Sequence, residues 1–137
     1  MSLDFGGVNW VAVIGATVAG IIIGFIWYAP PVFGRRWARA SGIELPQPGQ
    51  TQPTTYVAAV VTALVTAYVL AVLSGALGAA TLGDGAVVGA VVWLGFVAPY
   101  LASGVFFERR STEWWAINAG QAVVSLVIMG AIIGYLA

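Results

Sequence analysis

The residues with the chemistry to hold something are few, and they stand inside long apolar runs. Asn118, Gln121 and Ser125 fall at i, i+3 and i+7, so on a helix they share one face. Thr55, Thr62 and Thr66 make a companion stripe, and Tyr100 and Ser103 follow directly after Pro99. An unpaired polar group in hydrocarbon is costly, so these side chains have two uses. One is hydrogen bonding between helices, which asks for nothing more because Ser and Thr also satisfy themselves on their own backbone. The other is a polar lining for a small solute or ion, made by Asn118, Gln121, Ser125, Thr62, Thr66, Tyr100 and Ser103, with Asn118 and Gln121 at its inner mouth.

Other chemistry is poorly provided for. The chain has no histidine and no cysteine, which removes the commonest metal ligand, thiolate chemistry and disulfides. There is no Gly-rich phosphate loop and no GxSxG, and no carboxylate falls within a long apolar run. That leaves no candidate nucleophile, base or metal set. The expectation is a protein that is not an enzyme, without cofactor or metal, and without the buried acid of a proton-driven pump. A formal net charge of zero gives no basic surface for nucleic acid.

These residues must be positioned by helices in lipid. Of 137 residues, 61% are hydrophobic and 7% charged, where a soluble domain carries about 25% charge. The charges cut the chain into the charge-free runs Phe5–Gly34, Leu45–Gly83, Gly85–Phe107 and Trp114–Ala137, each able to hold one helix of the roughly 20 residues that cross a bilayer. Spans are expected near 8–28, 54–77, 86–107 and 114–135, in a single domain over 1–137. The connection 29–53 holds a short amphipathic piece and the Pro- and Gln-rich linker LPQPGQTQPTT. Met1 to Asn9 contains only Asp4 as a charge, so the first run reads as a span and not as a cleaved signal.

The spacing therefore predicts an all-α integral membrane protein, a bundle of four transmembrane helices. Arg35, Arg36 and Arg39 follow the first span and Arg109 and Arg110 the third, while the Gly83-Asp84-Gly85 turn lies at the other side. The positive-inside rule then places both termini on the non-cytoplasmic side of a multi-pass protein in the cytoplasmic (inner) membrane. Over Val32 to Ser41, Phe33, Trp37 and Ala40 oppose the three arginines, the pattern of a helix in the headgroup plane. Arg35, Arg36, Trp37, Arg39, Arg109 and Arg110 are read as interfacial anchors. Contact with anionic lipid is the sharper alternative, though such sites usually gather about 4 to 8 basic residues.

Small residues recur at four-residue steps in Ala16, Gly20 and Gly24, in Gly85 and Gly89, and in Gly130 and Gly134. Gly20, Gly24, Gly130 and Gly134 are read as helix-packing positions, since close approach is the usual adhesive between helices in lipid. Four short spans offer little internal volume, so a homo-oligomer is the expected state. Pro99 removes a backbone donor and predicts a kink in the third span.

Several local patterns resemble the bacterial membrane family catalogued as domain of unknown function 1761. They are Val8-Asn9-Trp10, Gly24, Trp27-Tyr28, Phe33-Gly34 and Trp37, then Trp93-Leu94-Gly95-Phe96, Phe107-Glu108-Arg109-Arg110, Trp114 and Ile117-Asn118-Ala119-Gly120. The chain departs from that pattern at Ala29-Pro30-Pro31, where a Ser-Pro-Leu type sequence is expected. The resemblance implies a four-helix integral membrane protein and brings no activity, ligand or catalytic residue with it. Two functions follow as expectations: a structural or accessory protein that self-associates or joins a larger membrane complex, and, as the alternative, an oligomeric channel or transporter using the polar stripes.

Overall fold

A computed structural model describes residues 2–47 and 49–137. Met1 and, within the linker, Pro48 lie outside the described residues. Helix α1 runs Trp10–Trp27, α2 Arg35–Ser41, α3 Pro53–Ala76, α4 Leu82–Val92, α5 Ala98–Phe107 and α6 Thr112–Tyr135. Two π turns, Pro30–Gly34 and Trp93–Val97, lead into α2 and α5. Counting α4, its π turn and α5 as one, four helices are long and apolar enough to cross a membrane. Among the described residues there is no strand.

Caps explain where the helices start. Asn9 is the N-cap of α1, its side chain accepting from Val11 N at 3.0 Å while its Nδ2 donates to the Leu136 carbonyl at 2.8 Å. One side chain thus satisfies an orphan donor of α1 and ties its start to the end of α6. The segment Gly83-Asp84-Gly85, expected as a turn, is instead the first turn of α4. Thr81 caps it by accepting from Asp84 N at 3.1 Å, and Asp84 accepts from Ala80 N at 3.3 Å. The pair resembles a capping box, except that the carboxylate takes the N–H of the residue before the cap, and it outweighs the poor helix propensity of the two glycines. Likewise α6 begins at Thr112, before the expected Trp114, because Ser111 accepts from Trp114 N at 3.0 Å.

The bundle is antiparallel. Trp27, at the end of α1, donates its indole N–H to the Ile117 carbonyl near the start of α6 at 3.0 Å. Both arginine-bearing connections therefore lie at one end and the two termini at the other. At the arginine end the chain folds back after Pro30 and Pro31, and Gly34 comes so close to the Tyr28 carbonyl that a Cβ there would overlap it. In α2 the three arginines are exposed while Trp37 is half-buried and Ala38 buried.

Helices α4 and α6 make the closest pair. A Cβ on Gly85 would collide with the Gly130 backbone, one on Gly89 with the Leu126 carbonyl, and one on Gly134 with the Thr81 carbonyl. Backbone lies on backbone, the arrangement that small residues four apart allow. The core sits on the other side of α6, where Val13, Ala16, Ala67, Leu70 and Met129 are all 2% exposed or less. Much of the outer surface is apolar, Val11, Ile14, Val57, Val61, Val91 and Phe96 among it.

Pro99 is met by the π turn before it, in which the Ala98 N–H reaches back five residues to the Trp93 carbonyl. Proline cannot donate and its ring crowds the carbonyl four residues earlier; one extra residue in the turn relieves both. It also advances the phase of everything after it by roughly 100° relative to an unbroken α-helix.

Candidate functional site

The contact between α1 and α3 is uneven, and the site arises from that. The carboxyl half of α3 is buried at Ala67, Leu70, Ala71 and Ser74, against Ala12, Val13 and Ala16 of α1. Toward the arginine end α3 carries exposed Tyr56, Val57, Val60, Val61, Leu64 and Val65. There Phe25 and Tyr56 reach across, ring centroids 6.1 Å apart. Between α1, α3 and α6 at this end lies a cavity of about 600 Å³.

Five of the seven residues expected as a polar lining meet there: Thr62 and Thr66 from α3, and Asn118, Gln121 and Ser125 from α6. The three on α6 line one wall. The Tyr28 hydroxyl donates to Asn118 Oδ1 at 2.6 Å, and Asn118 Nδ2 donates to the Trp114 carbonyl at 2.9 Å. One turn deeper, Gln121 Nε2 donates to Ser125 Oγ at 2.8 Å, which leaves the Gln121 Oε1 acceptor for whatever occupies the cavity. Across from them the Thr62 hydroxyl returns to its own helix at the Ala58 carbonyl, 2.8 Å away. The remaining wall is mostly apolar, and no charged side chain lines it among the described residues. All five arginines and all five acids are exposed.

The other two expected residues are elsewhere. Tyr100 is 78% exposed, and Ser103 returns its hydroxyl to the Tyr100 carbonyl at 2.6 Å. The phase advance at the π turn carries them off the inner face. The small residues divide as well. Gly130 and Gly134 lie against α4, but Gly20 and Gly24 face the cavity, where a Cβ would meet only the side chains of Met129, at 3.0 Å, and Gln121, at 3.9 Å. Trp37, expected as an anchor in the headgroup plane, lines the cavity mouth and stacks edge-on to Tyr28 at 5.3 Å.

Sequence reasoning missed Tyr28, Phe25, Val97 and Met129 as lining residues. Only Tyr28 gave a signal, a phenol beside a helix end, and an interfacial belt accounts for that equally well. Also missed were the tryptophan ties. Trp93 donates to the Ala119 carbonyl at 2.8 Å and Trp115 to the Ala98 carbonyl at 3.0 Å. With Trp27 they fasten α1, the π turn and α5 to one stretch of α6. Each satisfies an indole N–H that would otherwise face apolar surroundings.

Fold and site together define an all-helical chain with four helices long and apolar enough to cross a membrane, set around a cavity that no charged side chain lines among the described residues. The chain belongs to the family described as Protein of unknown function (DUF1761), whose model matches residues 11–134. No curated protein and no solved structure matches it.

Proposed function

We propose that this chain is a membrane-embedded binding and permeation protein for small uncharged molecules that carry a hydrogen-bonding group on an apolar body. The observation behind this reading is the convergence of Thr62, Thr66, Asn118, Gln121 and Ser125 on one cavity of about 600 Å³. That volume is in the range of sites for small organic ligands. A wall without charge suits a neutral solute better than an ion, because a dehydrated ion needs compensating charge or many oriented carbonyls. The positive-inside rule, applied to arginines gathered at one end, sets the cavity mouth toward the cytoplasm of a bacterial inner membrane and both termini on the far side.

The accessory reading has less behind it. It calls for small-residue faces and polar stripes all consumed in dry contacts; Gly85, Gly89, Gly130 and Gly134 are so used, but the polar stripes meet at the cavity.

Photolysis of a diazirine-bearing octanol with the reconstituted protein tests the proposal, with adducts located by mass spectrometry. Adducts are expected to concentrate on cavity residues such as Gln121 and Met129. They should fall severalfold in Gly24→Leu, which fills the cavity where the backbone has room. Labelling spread evenly over outward residues such as Val57 and Phe96, unchanged by Gly24→Leu, would refute it.

A further inference from the structure

We propose that the chain carries a second, polar site at the termini end, and that this site and the cavity are two vestibules of one path closed by a thin apolar plug. The inference rests on the permeation reading above and supplies its route and its gate. The second cavity measures about 520 Å³ and is lined by Asp4, Asn9, Ala12, Ala71, Ser74 and Ile133 among others. It lies on the same α1, α3 and α6 seam as the first, at the opposite end.

Ser74 marks it as a binding site. The residue is 1% exposed, and among the described residues its hydroxyl has no hydrogen-bond partner. Two other hydroxyls in the long helices are satisfied locally, Thr17 by the Val13 carbonyl at 2.7 Å and Thr62 by the Ala58 carbonyl; among the described residues Ser41, at the end of α2, is the other buried hydroxyl left without a partner. Ser74 has that option and does not use it. A buried hydroxyl left unpaired is unfavourable, and here it lines a cavity much larger than the roughly 30 Å³ of one water molecule. The ligand it fits is the hydroxyl or amide group of a small uncharged molecule, the class proposed for the first cavity.

Between the vestibules stand Val13, Ala16, Ala67, Leu70 and Met129, all 2% exposed or less. The plug is short. On α3 the first cavity ends at Thr66 and the second begins at Ala71; on α6 the corresponding residues are Met129 and Ile133. On α1 the gap runs from Ala12 to Gly20, so at 1.5 Å per residue the plug spans roughly 6 to 12 Å, against about 30 Å of hydrocarbon core. Met129 is the piece built to move. Its side chain is unbranched and adaptable, and it lies over Gly20, where a Cβ would come within 3.0 Å of its sulfur. The absence of a side chain at Gly20 gives Met129 its room on the cavity side.

The chain has no cysteine, so a single introduced thiol reports one position. In sealed vesicles oriented by an affinity tag at the amino terminus, Ser74→Cys should react with an impermeant methanethiosulfonate from the termini side at least tenfold faster than the plug variant Val13→Cys. Equal, slow modification of both would overturn the second site. 1,4-Butanediol, with hydroxyls on an apolar chain, serves as the solute for the gate. Its uptake into proteoliposomes should rise severalfold with Met129→Ala, and return to the native rate when Gly24→Leu is added. Leu70→Ala is a second way to thin the plug should Met129→Ala fail to fold. Uptake no faster than native in a folded plug variant overturns the path. Failure of octanol labelling would remove the first cavity as a binding site, whereas these readouts remove the second site or the gate and leave it standing.

Discussion

A single methyl group on the α4 face should separate two helices that the native chain holds backbone to backbone. In Gly89→Ala the new carbon would stand 2.6 Å from the Leu126 carbonyl carbon, and in Gly85→Ala 2.8 Å from that of Gly130. Carbon atoms settle at about 3.5 to 4.0 Å, so α4 must retreat from α6 by roughly 1 Å, and a gap of that size forfeits a quarter to a half of the dispersion at each contact it opens. Overpacking of this kind costs about 1 to 3 kcal/mol. Alanine returns about 1 kcal/mol through its better helix propensity, which leaves a net loss of about 0 to 2 kcal/mol, against a gain of about 1 kcal/mol where no overlap occurs. Gly75→Ala is the control, because nothing lies within 4 Å of a Cβ placed there; only the propensity term applies, and it should stabilise. Reversible unfolding in mixed micelles, followed by tryptophan fluorescence, reads both. Gly85→Ala or Gly89→Ala stabilised as much as Gly75→Ala would refute the claim that backbone contact along this seam holds the bundle.

Trp93→Phe keeps the ring and removes the bond to the Ala119 carbonyl; a loss near 1 kcal/mol is expected in the same unfolding assay, with octanol labelling at Gln121 weakened because the π turn is no longer fastened to α6. Thr81→Ala removes the cap of α4 and should cost about 1 kcal/mol, restored by Thr81→Ser. Hydrogen exchange at Gly83 to Gly85 separates this from a general loss, since the fraying should stay in the first turn.

How much of this was legible without coordinates depends on which physical rule each feature obeys. The helical spans follow from charge-free length, and four helices of that kind are present. Their starts were read late at Ala86 and Trp114 because glycine and charge were weighted above the caps Thr81 and Ser111, although the Thr81 to Asp84 spacing was there to be read. The α6 stripe was legible because i, i+3 and i+7 share a face whatever the helix packs against. Tyr100 and Ser103 were assigned to the same lining by assuming 3.6 residues per turn through Pro99, and the π turn Trp93–Val97 breaks that assumption. Gly20 and Gly24 have the same spacing as Gly130 and Gly134 yet different surroundings. Spacing tells which positions permit close approach; only the partner surface decides whether approach occurs.

That last distinction explains why this chain has a cavity at all. Helix α6 presents two unlike faces. Toward α4 it offers Gly130 and Gly134, so the pair closes to backbone contact. Toward α1 it offers Gln121, Ser125 and Met129, whose side chains hold the opposing backbone off even though α1 supplies glycine there. Large residues facing small ones would ordinarily interdigitate and fill the gap. Here α3 contributes Ala59, Thr62, Ala63 and Thr66 to the same wall, side chains too short to complete the fill. The void is thus a volume deficit written into three helices at one level, next to a seam closed tightly enough to act as its fixed wall. A larger residue on the α1 side intrudes on it where nothing but Gln121 stands in the way, which is why Gly24→Leu is expected to weaken binding severalfold while leaving the α4 and α6 seam as it was.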